Sequence, residues 1–226
     1  MGHKDRIIKY LMKAQKDGRV FETCKIEFKR NYYDLHKKAV KAELVVDVSS
    51  LANAPSDPEE DTGLLILGVT PDAQIIPDYK MAVTDTADFH DIINQRLERP
   101  VHFFYEPLEF DGYKFAALVI PKSPHRPHLV KEDFRDDNKD LLLHKGDGWT
   151  RTGVGGKKKM LSPDYDLIYE DYTRKRVDEA TAAQAKLLAA QSAFQNESNN
   201  PKPTPSILTL SPEDLNRYSG PLLRRL

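Results

Sequence analysis

Residues 64–69 read LLILGV, a short and uninterrupted apolar run with turn-forming residues on both sides. A run of this length is typical of a central β-strand that is covered on both faces. The preceding segment, residues 35–52, carries apolar side chains at helical three- and four-residue spacing, and residues 54–62 hold two prolines and four acids. The sequence therefore predicts a helix, an exposed loop and a buried strand in succession.

Further strands and helices are predicted on both sides of this strand. Residues 20–29 alternate between apolar and polar side chains, which indicates a half-buried strand. Residues 101–110 and 113–120 are rich in β-forming residues and flank Asp111-Gly112, the pair most typical of a two-residue hairpin turn. The other predicted elements are helices at residues 4–16, 86–98 and from Pro163 to about residue 195, and a strand pair at residues 128–131 and 141–145. Together they predict an α/β (α+β) fold in which helices flank a mixed sheet.

The composition is that of a folded protein. Of the 226 residues, 39% are hydrophobic and 31% are charged, which supplies enough apolar material for one domain with a core. No apolar run approaches the roughly 18 residues that a membrane-crossing helix needs, and the charged N-terminus has no apolar signal region behind it. With a single cysteine, Cys24, the chain can form neither an internal disulfide nor a multi-cysteine zinc site. We therefore expect a soluble protein of the cytoplasm that has no membrane partner.

The chain is expected to consist of one domain followed by an extension. The predicted parts are a domain at residues 1–172, a helical extension at 173–196, a polar linker at 197–206 and a docking tail at 207–226. The apolar residues of the tail are Ile207, Leu208, Leu210, Leu215, Leu222 and Leu223. Because these are too apolar for a linker, the tail is predicted to bind another surface, either in a homo-oligomer or on a partner subunit.

Charge is unevenly distributed along the chain, although the formal net charge is only −1. Residues 1–41 carry a net charge of +7, and residues 42–98 carry a net charge of −10. Blocks of this size indicate either a basic face for an anionic polymer or two solvated surfaces that attract each other.

A glycine-rich basic stretch, residues 145–159, ends in three consecutive lysines, Lys157–Lys159. The glycines predict a flexible loop. With Arg151 and Trp149 nearby, the lysines could bind a phosphodiester backbone while the ring stacks on a base. The alternative is an exposed loop whose lysines only keep it solvated.

Several short motifs occur in an order that resembles one known family. They are Glu22-x4-Glu27-Phe28-Lys29, Leu51-Ala52-Asn53, Gly63 leading into Leu65–Val69, Val119-Ile120-Pro121, Arg126-Pro127 and Lys145-Gly146. In this order they resemble the Schlafen-type AlbA_2 domain, whose elements are E-x4-E-F-K, A-x-A-N-x-x-G-G, L-x-x-G-V-D-D, V-I-x-V-P, R-P and R-x-G. The similarity covers about residues 20–172.

The resemblance implies an α/β domain that binds nucleic acid and, in Schlafen-like nucleases, a metal site of two glutamates and one aspartate that cuts RNA. Glu22 and Glu27 match the two glutamates. Thr70 and Pro71 stand where the aspartate is expected, and Asp72 is the nearest acid. The resemblance therefore predicts Glu22, Glu27 and Asp72 as catalytic residues and as ligands of Mg²⁺ or Mn²⁺. These ions prefer hard oxygen donors and can activate a water beside a scissile phosphate.

Basic residues must offset these acids if a nucleic acid is to approach. The predicted nucleic-acid contacts are Lys25, Lys29, Arg30, Lys145, Trp149, Arg151, Lys157, Lys158 and Lys159. The leading hypothesis is a nucleic-acid-binding protein, with RNA favoured over DNA, that acts as a metal-dependent endoribonuclease. The alternative is a noncatalytic DNA-binding or regulatory module, or a subunit whose tail recruits an effector.

Overall fold

The computed structural model describes residues 2–19, 22–55, 61–70, 72–76 and 86–199. Its elements are α1 (His3–Asp17), β1 (Ile26–Lys29), α2 (Lys38–Asn53), β2 (Gly63–Leu67), α3 (Thr86–Arg96), β3 (Phe104–Phe110), β4 (Tyr113–Ile120), β5 (Phe134–Arg135), β6 (Leu141–Leu143), β7 (Trp149–Arg151), β8 (Lys157–Lys159) and α4 (Ser162–Asn199). The chain divides into two compact units, Met1–Arg174 and Lys175–Leu226.

The main sheet of the first unit has four strands in the order β1-β2-β4-β3. Strand β1 runs parallel to β2, and the other two pairings are antiparallel. Strand β2 lies between two neighbours and all five of its residues are buried, which confirms the central strand predicted from LLILGV. The fold is therefore α+β with a mixed sheet, as predicted.

Helices cover both faces of this sheet. Leu65 and Leu67 of β2 belong to the apolar core that α2 and α3 cover, whereas Leu64 and Ile66 belong to the core that α1 covers. This division follows from the two-residue period of a strand, which sends neighbouring side chains to opposite faces. Fully burying one such side chain contributes about 1.5–3 kcal/mol, so β2 alone stabilises both layers.

The β3–β4 hairpin turns at the predicted pair. Asp111 and Gly112 both have positive φ, 52° and 75°, which is the backbone conformation that a two-residue hairpin with right-handed twist requires.

For the region after β4, one prediction is right in part and one is wrong. The predicted strand at residues 141–145 is present as β6, but it pairs with β5, whereas Leu129 and Val130 of the predicted partner form only isolated bridges. The predicted flexible loop is in fact a second hairpin, in which β7 pairs with β8 and only residues 152–156 form the turn. The glycines of this stretch lie before β7 and in the turn, and none lies among the three lysines, which form β8.

Helix α4 begins at Ser162, one residue before the predicted proline, and ends at Asn199. Val177, Leu187 and Leu188 on it are exposed. Residues 200–206 of the predicted linker and the predicted docking tail at 207–226 lie outside the described residues. In the described ranges, no helix is both long enough and apolar enough to cross a membrane.

Candidate functional site

Glu27, the second of the two predicted glutamates, lies in β1 and is buried. Its carboxylate accepts a hydrogen bond from Nη1 of Arg151 in β7, a side chain that is also buried. The same guanidinium donates from Nε to the carbonyl of Thr23 at 3.3 Å and from Nη2 to the carbonyl of Gly155. Arg151 therefore joins the start of β1 to the β7–β8 hairpin through an ion pair that is shielded from water.

Glu22 reaches the same guanidinium from the turn that precedes β1. Thr23 and Ile26 form an isolated bridge, so the chain reverses between the two glutamates and brings them to one side. Glu22 Oε1 accepts a hydrogen bond of 3.2 Å from the Phe28 amide, and Oε2 lies 3.8 Å from Arg151 Nη2. Burial, and then the charge of Glu27, raise the pKa of the Glu22 carboxyl. The structure thus brings together the two predicted glutamates.

A third acid that the sequence did not single out lies beside them. Asp47 of α2 is fully buried and accepts hydrogen bonds from the hydroxyl of Tyr33 and from the amine of Lys157. The Lys29 amine lies 3.0 Å from Asp47 and 3.4 Å from Glu27. Burial lowers the pKa of Lys29, but the Asp47 charge and its neighbours outweigh burial and raise it overall.

We call this group the carboxylate cluster, meaning the acids Glu22, Glu27 and Asp47 with the cations Lys29, Arg151 and Lys157. Each of its three acids already has a protein cation within 4.0 Å. The sequence signal for Asp47 was a single acid inside the apolar run of α2, where a charge survives only if it is paired.

Asp72 lies elsewhere in the structure. It is exposed in the turn after β2, where hydrogen bonds from Thr70 and from its own backbone lower the pKa of its carboxyl. Among the residues that the structure describes, no group of three or more acids, histidines or cysteines could hold a metal ion. The oxygens of Glu27 and Asp47 instead converge on the Lys29 amine, so these residues, as arranged, do not fit a divalent ion. The Mg²⁺ or Mn²⁺ site stays a prediction.

Lys25, predicted to contact nucleic acid, does not lie on the surface. Its side chain is only 2% exposed, and its amine donates to the Ala54 carbonyl at 3.0 Å. Burial, followed by the nearby charge of Arg126, lowers the pKa of Lys25 to about 8. The prediction that Lys25 contacts nucleic acid is corrected, because a buried amine that donates to a backbone carbonyl cannot reach a phosphate.

The arginine of the R-x-G element is also reassigned. Lys145 is exposed in a turn, where its backbone amide donates to Asp133 at 2.9 Å, and it takes no part in the cluster. Arg151-Thr152-Gly153 reads R-x-G directly, and its arginine binds Glu27. Arg151 is therefore a buried structural cation and not a surface contact for nucleic acid.

The remaining predicted contacts lie on the β7–β8 hairpin and at the end of β1. Lys158 pairs with Asp164 at 2.8 Å and Lys159 pairs with Asp147 at 2.7 Å, while their side chains stay 42% and 55% exposed. The Lys159 amine lies 5.7 Å from the centre of the Trp149 ring. Arg30, directly after β1, is exposed.

Asn53, the last residue of α2, fixes the hairpin against the rest of the domain. Its Nδ2 donates to the carbonyls of His128 and Trp149 at 3.0 and 2.9 Å, and its Oδ1 accepts from the His128 amide at 2.8 Å. The side chain thus satisfies three backbone groups that would otherwise be unpaired in the interior.

Comparison with known proteins identifies one family. The sequence model described as "Schlafen, AlbA_2" matches residues 22–160, a range that contains the whole carboxylate cluster and the β7–β8 hairpin. No curated protein matches the chain. Among solved structures, the DIP2311 protein from Corynebacterium diphtheriae matches with 16% sequence identity and a TM-score of 0.40, covering 71% of this chain and 27% of that one. The chain thus spans about a quarter of the length of that protein.

Proposed function

Because this chain belongs to the Schlafen AlbA_2 family, we propose that its first unit binds nucleic acid at the β7–β8 hairpin and does so without a metal ion. RNA is the favoured ligand, since the Schlafen-like nucleases that the domain resembles act on RNA. The observation that carries the proposal is the hairpin itself, which presents Lys159 beside its cross-strand neighbour Trp149 on one face and the partly exposed Lys158 on the other.

The two lysines can exchange their present partners for phosphates. Their ion pairs with Asp164 and Asp147 are partly exposed, and exposed pairs of this kind contribute only about 0–1 kcal/mol. A phosphate that replaces the carboxylate also releases counterions from the nucleic acid, which favours binding at low salt. The Trp149 ring next to Lys159 supplies a surface on which a base can stack.

The cluster cations support this surface from inside. Lys157 and Arg151 are bound to Asp47 and Glu27, so they position the hairpin and do not contact the ligand. The cluster is electrically satisfied by protein groups alone. Binding that needs no metal is therefore the function that this arrangement supports best. Metal-dependent RNA cleavage by Glu22, Glu27 and Asp72, which the resemblance implies, is the rival function, and Mn²⁺-dependent cleavage of RNA would establish it.

The experiment that tests the proposal measures binding of a fluorescein-labelled single-stranded RNA, and of DNA of the same sequence, by anisotropy in EDTA at several salt concentrations. We expect the double variant Lys158→Gln/Lys159→Gln to bind more weakly. Two lost phosphate contacts should reduce the slope of log affinity against log salt by about 1.4 for a single strand.

A matched control removes the same charge elsewhere. Lys175→Gln/Lys186→Gln changes two exposed lysines of the second unit and should leave the salt slope unchanged. The absence of binding to both RNA and DNA would overturn the proposal. An equal loss of affinity in the control pair would show that the hairpin is not the interface.

A further inference from the structure

A second candidate site lies behind the hairpin, in a cavity of about 130 Å³ between the end of α2 and the first turns of α4. Its lining includes Asn53, Thr150, Arg126, Asp171 and Arg174. A cavity needs about 10–15 Å³ to hold one water, so this one has room for a group with several oxygens. All of its lining residues belong to the first unit.

The central group of the cavity is a buried arginine. Arg126 is only 3% exposed; its Nη1 donates to the Ala54 carbonyl at 3.1 Å and its Nη2 donates to Asp171. Its Nε is buried and has no hydrogen-bond partner within the described part of the chain. A buried charged donor without a partner is costly, and a bound acceptor removes that cost.

The charged side chains that line the cavity balance, two arginines against two aspartates, and the excess of positive charge comes from the charged residues that neighbour them. The cations are Lys25, Lys122, Arg126, Lys158 and Arg174, and the acids are Asp61, Asp164 and Asp171. Each acid already has a protein cation: Asp164 pairs with Lys158, while Asp61 and Asp171 lie 3.6 and 3.3 Å from Lys122. The surplus is therefore two positive charges.

We propose that this cavity binds one monophosphate group, which carries about two negative charges at neutral pH and accepts hydrogen bonds through its oxygens. Arg126 donates from Nε, and Arg174 contributes a second guanidinium at the mouth of the cavity. The same chemistry is offered by a free phosphate or mononucleotide and by the terminal phosphate of a nucleic-acid strand. The site adjoins the hairpin surface, because Asp164 of its lining pairs with Lys158, but phosphate binding in the cavity does not depend on the proposed nucleic-acid function.

The test titrates the full chain with inorganic phosphate by isothermal calorimetry at fixed ionic strength. We expect saturable binding of one phosphate per chain. Arg174→Gln should weaken it at least tenfold, which is about 1.4 kcal/mol, because the variant loses a charge-assisted hydrogen bond to the phosphate. Arg176→Gln removes the same charge from the same helix outside the cavity lining, and should change the affinity less than twofold.

Arg126→Lys is the second variant, because it keeps the charge but replaces the guanidinium, including its Nε donor, with a single amine. It should weaken phosphate binding while the fluorescence of Trp149 reports a folded domain. Phosphate binding that is unsaturable, that survives both Arg174→Gln and Arg126→Lys, or that Arg176→Gln weakens equally would overturn the proposal.

A second arm identifies the source of the phosphate. An oligonucleotide with a 5′-phosphate is compared with the same strand ending in a 5′-hydroxyl group. Tighter binding of the phosphorylated strand, lost in Arg174→Gln, assigns the cavity to strand ends, whereas equal binding of both strands assigns it to free phosphate or a mononucleotide. If inorganic phosphate binds and neither strand does, the cavity site stands and the proposed nucleic-acid function fails.

Discussion

Replacing Asp47 with asparagine tests whether the carboxylate cluster is a set of mutually satisfied charges. Asparagine keeps the volume of the side chain and can still accept a hydrogen bond from Tyr33, but it removes the negative charge that faces Lys29 and Lys157. Lys29 retains Glu43 at 2.7 Å and Glu27 at 3.4 Å, whereas Lys157 retains, among the residues that the structure describes, Glu27 at 4.0 Å.

The burial of the ion pairs sets how much stability Asp47→Asn should lose. Removing one partner of a buried ion pair costs about 3–5 kcal/mol. Both amines here are partly exposed and can turn toward water, so we expect a loss of about 2–3 kcal/mol in the free energy of unfolding. That loss is a large share of the 5–15 kcal/mol that stabilises a typical domain.

The assay is urea unfolding followed by the fluorescence of Trp149, the single tryptophan, which lies in β7 beside the cluster. Glu43→Gln is the matched control, because Glu43 pairs with the same lysine but its side chain is 49% exposed, and its loss should cost less than 1 kcal/mol. If Asp47→Asn costs no more than Glu43→Gln in the presence of EDTA, the reasoning about the cluster is wrong.

Two further predictions concern residues that support the hairpin. Burial lowers the pKa of His128 to about 4 against about 6.5 when unfolded, so the unfolded chain binds the proton first and stability is lost as the pH falls from 6.5 to 4. This loss is about 3 kcal/mol. Urea unfolding at several pH values should show that the free energy of unfolding depends less steeply on pH in His128→Gln. An equally steep pH dependence in the variant would rule out His128 as the source of the loss. Gly155→Ala places a Cβ 2.5 Å from the Cβ of Glu22 at a φ of +95°, and should lower the melting temperature clearly. Gly153→Ala is the control, because its Cβ would meet no atom within 4 Å, and it should leave the melting temperature unchanged. An equal fall in melting temperature in both variants would contradict the close packing of the turn on Glu22.

Local patterns in the sequence predicted the sheet well. The central strand was recognisable because an uninterrupted apolar run has few alternatives in a domain of this size. The Asp111-Gly112 turn was recognisable because few residue pairs accept positive φ at both positions. Both signals are contained within a few neighbouring residues, and neither needs knowledge of the rest of the chain.

The charged residues were harder to place from the sequence. Lys25 and Arg151 were predicted on the surface because charged side chains are seldom buried, yet Arg151 is held by Glu27, 124 positions earlier in the chain. Asp47 was missed for the same reason, since its main partner, Lys157, is 110 positions away. Such pairings depend on tertiary contacts that no local pattern encodes.

The most direct test of metal-independent nucleic-acid binding is one titration of labelled RNA with the full chain, performed in EDTA and in Mn²⁺ at matched ionic strength. Each endpoint is then run on a denaturing gel. We predict the same affinity in both buffers and intact RNA in both lanes. Binding that requires Mn²⁺, or Mn²⁺-dependent cleavage that Glu22→Gln abolishes, would contradict the account.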